Sequence, residues 1–327
     1  MAALANVAVH GSQFPEQVWA ELRNSLRLRQ INHKFHYDSY RQTQKWLELH
    51  AACSPSRTDQ DCAQCFENAF AAAAGKIGGA AIHVIGLGCG GGQKDTRLLR
   101  LLRKDQRQLD YTPVDVSLPM VLTAREAASE VVAEPRGLVC DLALAEDLAE
   151  YFNRETPEAA ARVMTFFGMM PNFEPGRILP RLAGLLRERD LLLLSANLAP
   201  SADYEAGVVR VLPQYANNLV EDWLRIFLLD LGVEQTDGTI EWVIEPCPSG
   251  SGLLRITARF GFQRGRSVTI AGERFEFKAE EKIRLFFSYR YTPERVLRQL
   301  EEHGLTAREQ WIADSGEEGV FLCGRKC

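Results

Sequence analysis

The feature that most limits how this chain can fold is a glycine-rich segment. Five glycines lie within the seven residues 86–92, between a predicted strand at 81–86 and a predicted helix at 94–104. Glycine allows a sharp turn and lets a ligand approach the backbone without meeting a Cβ atom. The helix that follows begins with unpaired N–H groups and the positive end of its dipole. A strand, a glycine turn and a helix in this order predict a nucleotide-binding corner.

The spacing of these glycines fits two cofactor classes. Gly86, Gly88 and Gly91 satisfy the GxGxxG pattern of NAD- and FAD-binding proteins. Gly86, Gly88 and Gly90 satisfy the GxGxG pattern of S-adenosylmethionine (AdoMet) methyltransferases. The segment by itself therefore leaves open a dinucleotide enzyme, an AdoMet enzyme and a glycine-rich loop that binds nothing.

Two aspartates follow at the ends of later predicted strands. Asp115 comes 25 residues after Gly90, near the spacing at which an acid accepts ribose hydroxyl groups. Asp141 ends the short apolar segment 137–141. In a doubly wound sheet both carboxylates would line one crevice, where one of them could accept a hydrogen bond from an adenine amino group. Either aspartate could instead cap the next helix.

Composition narrows the class of protein. The chain has 327 residues, of which 25% are charged and 46% hydrophobic, and its formal net charge is −5, as in ordinary soluble proteins of one or two domains. No basic block predicts nucleic-acid binding, and no apolar run approaches the length of a membrane span. No signal peptide is evident, so we expect a cytoplasmic protein. The oligomeric state stays open.

The cysteines suggest packing rather than metal binding. Eight of them are scattered along the chain, which suits reduced thiols in the cytosol. Cys62 and Cys65 have the CxxC spacing of metal and redox sites, and Cys53 is close in sequence. No second CxxC motif completes a zinc set, so we predict no metal.

Strand and helix patterns alternate along the middle of the chain and change after residue 197. The alternation predicts a parallel sheet with helices on both faces, whereas the later extended segments look antiparallel. The predicted fold class is α/β, with a doubly wound, mostly parallel, Rossmann-like sheet and a second, smaller α+β domain. The elements are predicted as strands at 81–86, 110–115, 137–140, 162–167 and 190–196, helices at 94–104, 118–132, 143–152, 175–188 and 204–231, and extended segments at 239–245, 253–262, 266–277 and 282–291.

The end of the chain resembles the edge of a methyltransferase sheet. Thr292 and Pro293 form a strong start for a helix to Glu302, and strands are predicted at 308–313 and 319–324. A final helix followed by an antiparallel strand pair is typical of methyltransferases and not of most dehydrogenases. We predict an AdoMet-binding core made of residues 64–200 and 290–327, and a substrate-binding domain made of residues 1–63 and 201–289.

Several motifs resemble the histidine-specific methyltransferase family, whose best-known member trimethylates histidine for ergothioneine synthesis. Residues 87–97 are similar to the family's Leu-Gly-Ser-Gly…Lys-Thr-Arg element, with one residue extra. Residues 111–117 match its Tyr-x-Pro-x-Asp-x-Ser strand end fully. Residues 166–173 resemble its Phe-Leu-Gly-Ser-Thr-Ile-Gly-Asn-Phe strand. The chain is therefore identified as a divergent member of this family. Further similar segments are 34–38, 55–59 and the pair Trp311 and Asp314.

The resemblance implies AdoMet as the cofactor and assigns its contacts by position. Gly88 would admit the methionine part, and Lys94 would hold the methionine carboxylate directly or through another residue. A solvated lysine in the first turn of the helix is the alternative for Lys94. Asp115 would accept the ribose hydroxyl groups, and Asp141 with the amide of Leu142 would contact the adenine edge. The predicted cofactor-binding residues are Gly86, Gly88, Gly90, Lys94, Asp115, Ser117, Asp141 and Leu142.

The predicted substrate site departs from the family pattern. Asn172 and Tyr215 resemble family residues that hold the substrate's carboxylate, and Ser288 matches a serine that contacts the imidazole. The family's imidazole-binding glutamate is replaced by Phe286, which cannot accept an N–H hydrogen bond. We therefore predict a substrate other than histidine, with a less polar group near Phe286. The alternative is that Phe286 only packs the sheet.

The predicted activity is methyl transfer from AdoMet to a small molecule. We expect N-methylation of an amino-acid-like amine, because the family methylates an α-amino group. Tyr37 matches a family tyrosine near this amine and is the predicted catalytic residue, which would orient the amine or relay its proton. A buried aromatic with a satisfied hydroxyl is the alternative for Tyr37. A non-catalytic AdoMet-binding homologue that acts in a complex and an NAD-dependent oxidoreductase are the other interpretations.

Overall fold

The computed structural model describes residues 5–104 and 107–326. The strands are Val7–Val9 (β1), Ala81–Leu87 (β2), Gln108–Asp115 (β3), Gly137–Val139 (β4), Ala161–Phe166 (β5), Leu191–Asn197 (β6), Gly238–Pro246 (β7), Leu254–Phe262 (β8), Arg266–Ile270 (β9), Glu273–Phe277 (β10), Lys282–Arg290 (β11), Leu305–Ile312 (β12) and Glu318–Arg325 (β13). The helices are Pro15–Leu28 (α1), Tyr40–Cys53 (α2), Pro55–Thr58 (α3), Gln60–Lys76 (α4), Gln93–Arg103 (α5), Leu118–Ala128 (α6), Leu148–Glu155 (α7), Pro175–Leu185 (α8), Tyr204–Val211 (α9), Asn218–Asp230 (α10) and Pro293–Glu302 (α11).

One large sheet organises the molecule, in the order β1-β4-β3-β2-β5-β6-β13-β12. The strands from β1 to β6 pair in parallel, and β13 and β12 join antiparallel at one edge. The chain order reverses beside β2, which has β3 on one side and β5 on the other. Open sheets bind ligands outside the carboxyl ends of the strands at such a point. The predicted doubly wound, mostly parallel α/β sheet is confirmed.

Helices cover both faces of this sheet because its central strands are apolar on both faces. Leu192 and Leu194 of β6 pack into one core, with residues of α7, α8 and α11. Leu191 and Leu193 of the same strand pack into the opposite core, with residues of α4 and α5. A strand buried on both sides has no polar face to show, which is why its sequence is a continuous leucine run.

A smaller three-stranded antiparallel sheet, β11-β8-β7, lies next to the large one. Its core joins Phe260 and Leu285 to Trp223 and Leu224 of α10 and to Leu26 of α1. The residue after β11, Tyr291, makes an isolated bridge with Leu198 at the end of β6. This contact brings the smaller sheet to the carboxyl edge of the large one.

Several predicted elements differ from the observed ones. The extended segment predicted at 266–277 is a hairpin, because Ala271 and Gly272 have φ values of 48° and 83° and turn the chain. The helix predicted at 204–231 is broken into α9 and α10 by a turn that contains Pro213. The helix predicted at 143–152 begins only at Leu148, and the one predicted at 118–132 ends at Ala128.

One strand, β1, was not predicted from the sequence. Val7–Val9 pairs in parallel with Gly137–Val139 at the edge of the large sheet, although it belongs to the segment predicted for the substrate domain. Three residues are too few to show a periodic pattern. The division into two domains stays a prediction. In the described residues, no helix has the length and hydropathy that crossing a membrane requires.

A buried carboxylate beneath the glycine segment ties three elements together. Asp95, in the first turn of α5, is 3% exposed. It accepts hydrogen bonds of 2.7 Å from the hydroxyl groups of Tyr111 in β3 and Thr165 in β5. Gly86 leaves room for it, since a Cβ atom at residue 86 would lie 2.1 Å from Asp95 Oδ2. Burial raises the pKa of Asp95, while both hydroxyl hydrogen bonds and the charge of Lys94 oppose that shift.

We expect Gly86→Ala to lower the free energy of unfolding by about 3 kcal/mol, because the new methyl group must displace Asp95 and leave buried hydroxyls unpaired. Urea unfolding of the purified variant measures this change. Gly184→Ala is the matched control, because a Cβ there meets nothing within 4 Å and alanine favours the interior of α8. Equal stability of the two variants would contradict the role given to Asp95.

Candidate active site

A cavity of about 310 Å³ opens at the carboxyl ends of β2, β3 and β5. Most of the residues predicted for the cofactor and the substrate meet in its wall. Gly86, Ser117 and Ser288 do not line it and lie behind the wall. The predicted residues that line the cavity are Tyr37, Gly88, Gly90, Lys94, Asp115, Asp141, Leu142, Asn172, Tyr215 and Phe286.

The glycine segment forms one side of the cavity in a conformation that favours glycine. Gly88 and Gly90 have φ values of 68° and 52°. The amide of Gly88 donates to Val114 O over 2.8 Å, which holds the turn against β3. A Cβ atom at residue 88 would lie 2.6 Å from Met169 Cγ, and one at residue 90 would lie 3.2 Å from Trp46. A side chain at either position would therefore press on Met169 or Trp46, and the bare glycine backbone borders the cavity.

Asp115 faces this glycine turn from the end of β3. Its carboxylate oxygens accept hydrogen bonds of 3.1 Å from the amides of Gly90 and Ser117. Burial raises the pKa of Asp115 to about 6, against three backbone hydrogen bonds that favour the charged form. The Ser117 hydroxyl caps α6 and contacts Thr43, so it supports the turn from behind. A carboxylate held in this way keeps free lone pairs for ligand hydroxyl groups.

Asp141 is held by contacts that the sequence did not suggest. Its Oδ1 accepts from the amide of Ala143 over 2.8 Å, and Lys34 Nζ lies 3.1 Å from its Oδ2. Both side chains are at most 5% exposed. The Ser12 hydroxyl accepts a hydrogen bond from the Asp141 amide. Lys34 therefore orients this carboxylate beside Leu142.

Two uncharged imidazoles also line the cavity. Burial lowers the pKa of His33 to about 4, with Asp141 opposing and Lys34 adding to the shift. Burial, helped by the charges of Lys94 and Arg57, lowers the pKa of His50 to about 3. The His50 ring stacks on Trp46 with centroids 4.8 Å apart. Both rings are neutral at physiological pH and add no charge to the cavity.

Aromatic rings form a continuous wall on the side of α2, α10 and β11. The ring centroid of Tyr37 lies 5.8 Å from that of Trp46 and 5.5 Å from that of Trp223. Phe286 continues the wall at 5.9 Å from Trp223 and 6.3 Å from Tyr215. Burial and the nearby charge of Asp115 raise the pKa of Tyr37, so its phenol keeps its proton at neutral pH.

The polar end of the cavity is organised around the Tyr215 hydroxyl. Its oxygen accepts hydrogen bonds from Arg290 over 2.8 Å and from Asn197 over 3.3 Å. Ser288 lies 2.9 Å from the same hydroxyl and is 1% exposed, so it contacts Tyr215 and not the cavity. Asn172 reaches the wall from the other side and donates to Phe287 O over 2.8 Å.

Lys94 presents a cation to the cavity. Its Nζ lies 4.5 Å from the ring centroid of Phe66, and among the described residues no carboxylate oxygen lies within 4 Å of it. Burial lowers its pKa, while the charges of Glu318, Cys62 and Asp95 oppose that shift. An ammonium group in this position suits an anionic group of a ligand.

Sequence patterns did not indicate the other residues of the wall. Trp46 and Trp223 have the spacing of ordinary buried helix residues. Met169 lies in the family-like segment 166–173, but the resemblance assigned it no role. Asn197 and Glu318 lie opposite each other in the register of β6 and β13, which are far apart in the chain. Only the pairing of these two strands brings both side chains to the cavity.

Two solved methyltransferase structures show a weak likeness to this chain. Magnesium protoporphyrin IX methyltransferase from Synechocystis PCC 6803 is 12% identical, with a TM-score of 0.47, 90% of this chain covered and 98% of that chain. The CcbJ methyltransferase from Streptomyces caelestis is 13% identical, with a TM-score of 0.40, 80% of this chain covered and 89% of that chain.

A sequence relative is more informative. Histidine N-alpha-methyltransferase from Mycolicibacterium smegmatis is 25% identical over 284 residues, which cover 83% of this chain and 82% of that protein. The family model described as histidine-specific methyltransferase, SAM-dependent, matches residues 15–206 and 247–325. The glycine spacing fitted both a dinucleotide and AdoMet. These matches show that AdoMet is the cofactor and methyl transfer is the reaction. The chain belongs to the histidine-specific, AdoMet-dependent methyltransferase family.

Proposed function

We propose that this protein methylates the amine nitrogen of a small, amino-acid-like acceptor other than histidine. The observation that carries the proposal is the aromatic wall of the cavity, in which Phe286 stands where the family resemblance places an imidazole-binding glutamate. An imidazole N–H against this ring would lose its hydrogen bond, at a cost of about 1–3 kcal/mol. An aryl or alkyl side chain of the acceptor would bury apolar surface there instead. A cytoplasmic location and the lack of a nucleic-acid partner stay predictions from composition.

The cofactor would occupy the side of the cavity formed by the glycine segment. Gly88 and Gly90 border it with bare backbone, and Asp115 accepts the ribose hydroxyl groups. Lys94 binds the methionine carboxylate. Asp141, oriented by Lys34, keeps unused lone pairs for the adenine amino group beside Leu142.

AdoMet, when bound, supplies a methyl group on a sulfonium sulfur. The protein's part is to align the acceptor nitrogen with that methyl group and to keep the nitrogen unprotonated. Asn172 and Tyr215 would hold the acceptor's carboxylate, with Ser288 behind Tyr215. The Tyr37 hydroxyl oxygen would accept an N–H of the neutral amine, which leaves the nitrogen lone pair free to attack the methyl group. The proton that the amine loses after transfer leaves through this hydroxyl or through water.

We expect Asp115→Ala to weaken the binding of S-adenosylhomocysteine at least about tenfold, because the ribose loses a charged acceptor. Isothermal titration calorimetry measures the dissociation constant. Glu126→Ala, which removes one exposed acid from the following helix, should leave it unchanged. Unchanged affinity in Asp115→Ala would contradict the placement of the ribose.

The same site predicts a pH dependence. The pKa of Asp115 in the free protein is about 6, so lowering the pH through that value protonates the carboxylate that the ribose needs. We expect the affinity for S-adenosylhomocysteine to be constant well above this pH and to fall below it. In Asp115→Asn the affinity should be weaker and flat across the same range. A decline of equal size in both proteins would assign the titration to another group.

The acceptor preference is tested with a panel of amino acids, labelled AdoMet and two variants. The unaltered protein should methylate amino acids with aryl or alkyl side chains and should methylate histidine at least about tenfold more slowly. Phe286→Glu should raise kcat/KM for histidine by roughly tenfold to a hundredfold, since the imidazole N–H regains an acceptor. Phe286→Leu removes the ring without adding an acceptor and should give no such gain.

Histidine as the preferred acceptor of the unaltered protein would contradict the proposal. Tight binding of AdoMet with no turnover of any amine would favour the non-catalytic homologue.

A further inference from the structure

Glu318 is a buried carboxylate in the cavity wall to which no role has been given. It begins β13, is 8% exposed and lies opposite Asn197 in β6. Three other carboxylates line the described part of the cavity, and each is held by contacts. Asp95 accepts hydrogen bonds from two hydroxyl groups, and Asp115 accepts two hydrogen bonds from backbone amides. Asp141 accepts one hydrogen bond from a backbone amide and has Lys34 beside it. Glu318, which the Ser195 hydroxyl contacts, is the one carboxylate among these four to which neither a structural role nor a part of a ligand has been assigned.

Burial of Glu318 disfavours its charged form, and its polar and cationic neighbours offset that effect only in part. Burial raises its pKa, and the charge of Lys94 opposes that shift most, followed by the Ser195 hydroxyl and Arg290. In the part of the chain that the structure describes, neither cation comes within 4 Å of its oxygens. A buried carboxylate and a half-buried ammonium group thus line one cavity without touching. Such an arrangement is costly unless a ligand brings the opposite charge to each.

Glu318 and Lys94 are connected through the segment that follows β5. The Ser195 hydroxyl accepts a hydrogen bond of 3.0 Å from the Gly168 amide. The preceding residue, Phe167, has its ring centroid 5.9 Å from Lys94 Nζ. The next residue, Met169, packs over Gly88. The two charges therefore belong to the side of the cavity where the sulfonium end of the cofactor would lie.

We propose that Lys94 and Glu318 together hold the amino-acid end of AdoMet, with Lys94 on its carboxylate and Glu318 on its ammonium group. The proposal rests on the cofactor placement given above. The cofactor's ammonium group stays charged during the reaction and matches a carboxylate. The acceptor amine must be neutral to attack, and a carboxylate beside it would favour its protonated form. The charge of Glu318 therefore serves the cofactor better than the acceptor.

Two available ligands distinguish the contacts of Lys94 and Glu318 from those made by the rest of the cofactor site. S-adenosylhomocysteine has the amino-acid end, whereas 5′-methylthioadenosine has the same nucleoside and sulfur without it. We expect Glu318→Gln to raise the dissociation constant of S-adenosylhomocysteine by roughly tenfold to a hundredfold. Its affinity for 5′-methylthioadenosine should change less than about twofold. Lys94→Met should show the same pattern, and the exposed Glu301→Gln should change neither ligand.

Titration calorimetry on each variant decides the proposal, with thermal unfolding to show that the variant is folded. Equal losses for both ligands, or no loss for either, would overturn it. Unchanged affinity for S-adenosylhomocysteine with a raised KM for the acceptor would assign Glu318 to the acceptor and also overturn it. If Glu318→Gln does not fold, Ser195→Ala tests the same point with a smaller selective loss. Failure of the unaltered protein to bind either ligand would instead refute the cofactor placement itself.

Discussion

The hydrogen bonds of Asp95 hold the corner on which the rest of the site depends. This carboxylate occupies the space that Gly86 leaves open and joins the start of α5 to β3 and β5. It thereby fixes the point at which the strand order reverses, and with it the glycine turn and the neighbouring Lys94. Because β2, β3 and β5 are parallel, their carboxyl ends meet at one edge of the sheet. The position of Asp115 opposite the turn follows from this arrangement.

Two layers of different character enclose the cavity. The edge of the parallel sheet supplies backbone amides and carboxylates, which suit the polar parts of a nucleoside. The smaller sheet and α10 supply aromatic rings, with Phe286 between Trp223 and Tyr215. The imidazoles of His33 and His50 are neutral, and the phenol of Tyr37 keeps its proton. Charge is therefore concentrated in a few groups, and a neutral amine could reach the aromatic side without meeting a competing cation.

Much of the fold was predictable because its signals are local. The apolar strands around the glycine segment and the cap before α11 each depend on a few consecutive residues, and the doubly wound sheet followed from their alternation. Errors arose where the local signal was short or ambiguous. Val7–Val9 is too short to show a period, and its pairing with β4 depends on residues 128 positions or more away. The hairpin at Ala271 and the break near Pro213 are turns inside patterns that otherwise look continuous.

Local motifs were enough to predict the family and the cofactor class, and they pointed to residues such as Gly88 and Asp115 that line the cavity. These motifs specify the local backbone conformation, which depends on a few consecutive residues of the chain. The three-dimensional fold brings together the polar groups that share a wall of the cavity. It set Lys34 against Asp141, placed Ser288 behind Tyr215 and brought Glu318 to the cavity with Lys94. Contacts of this kind join distant segments through strand pairing and burial, and no spacing along the chain records them.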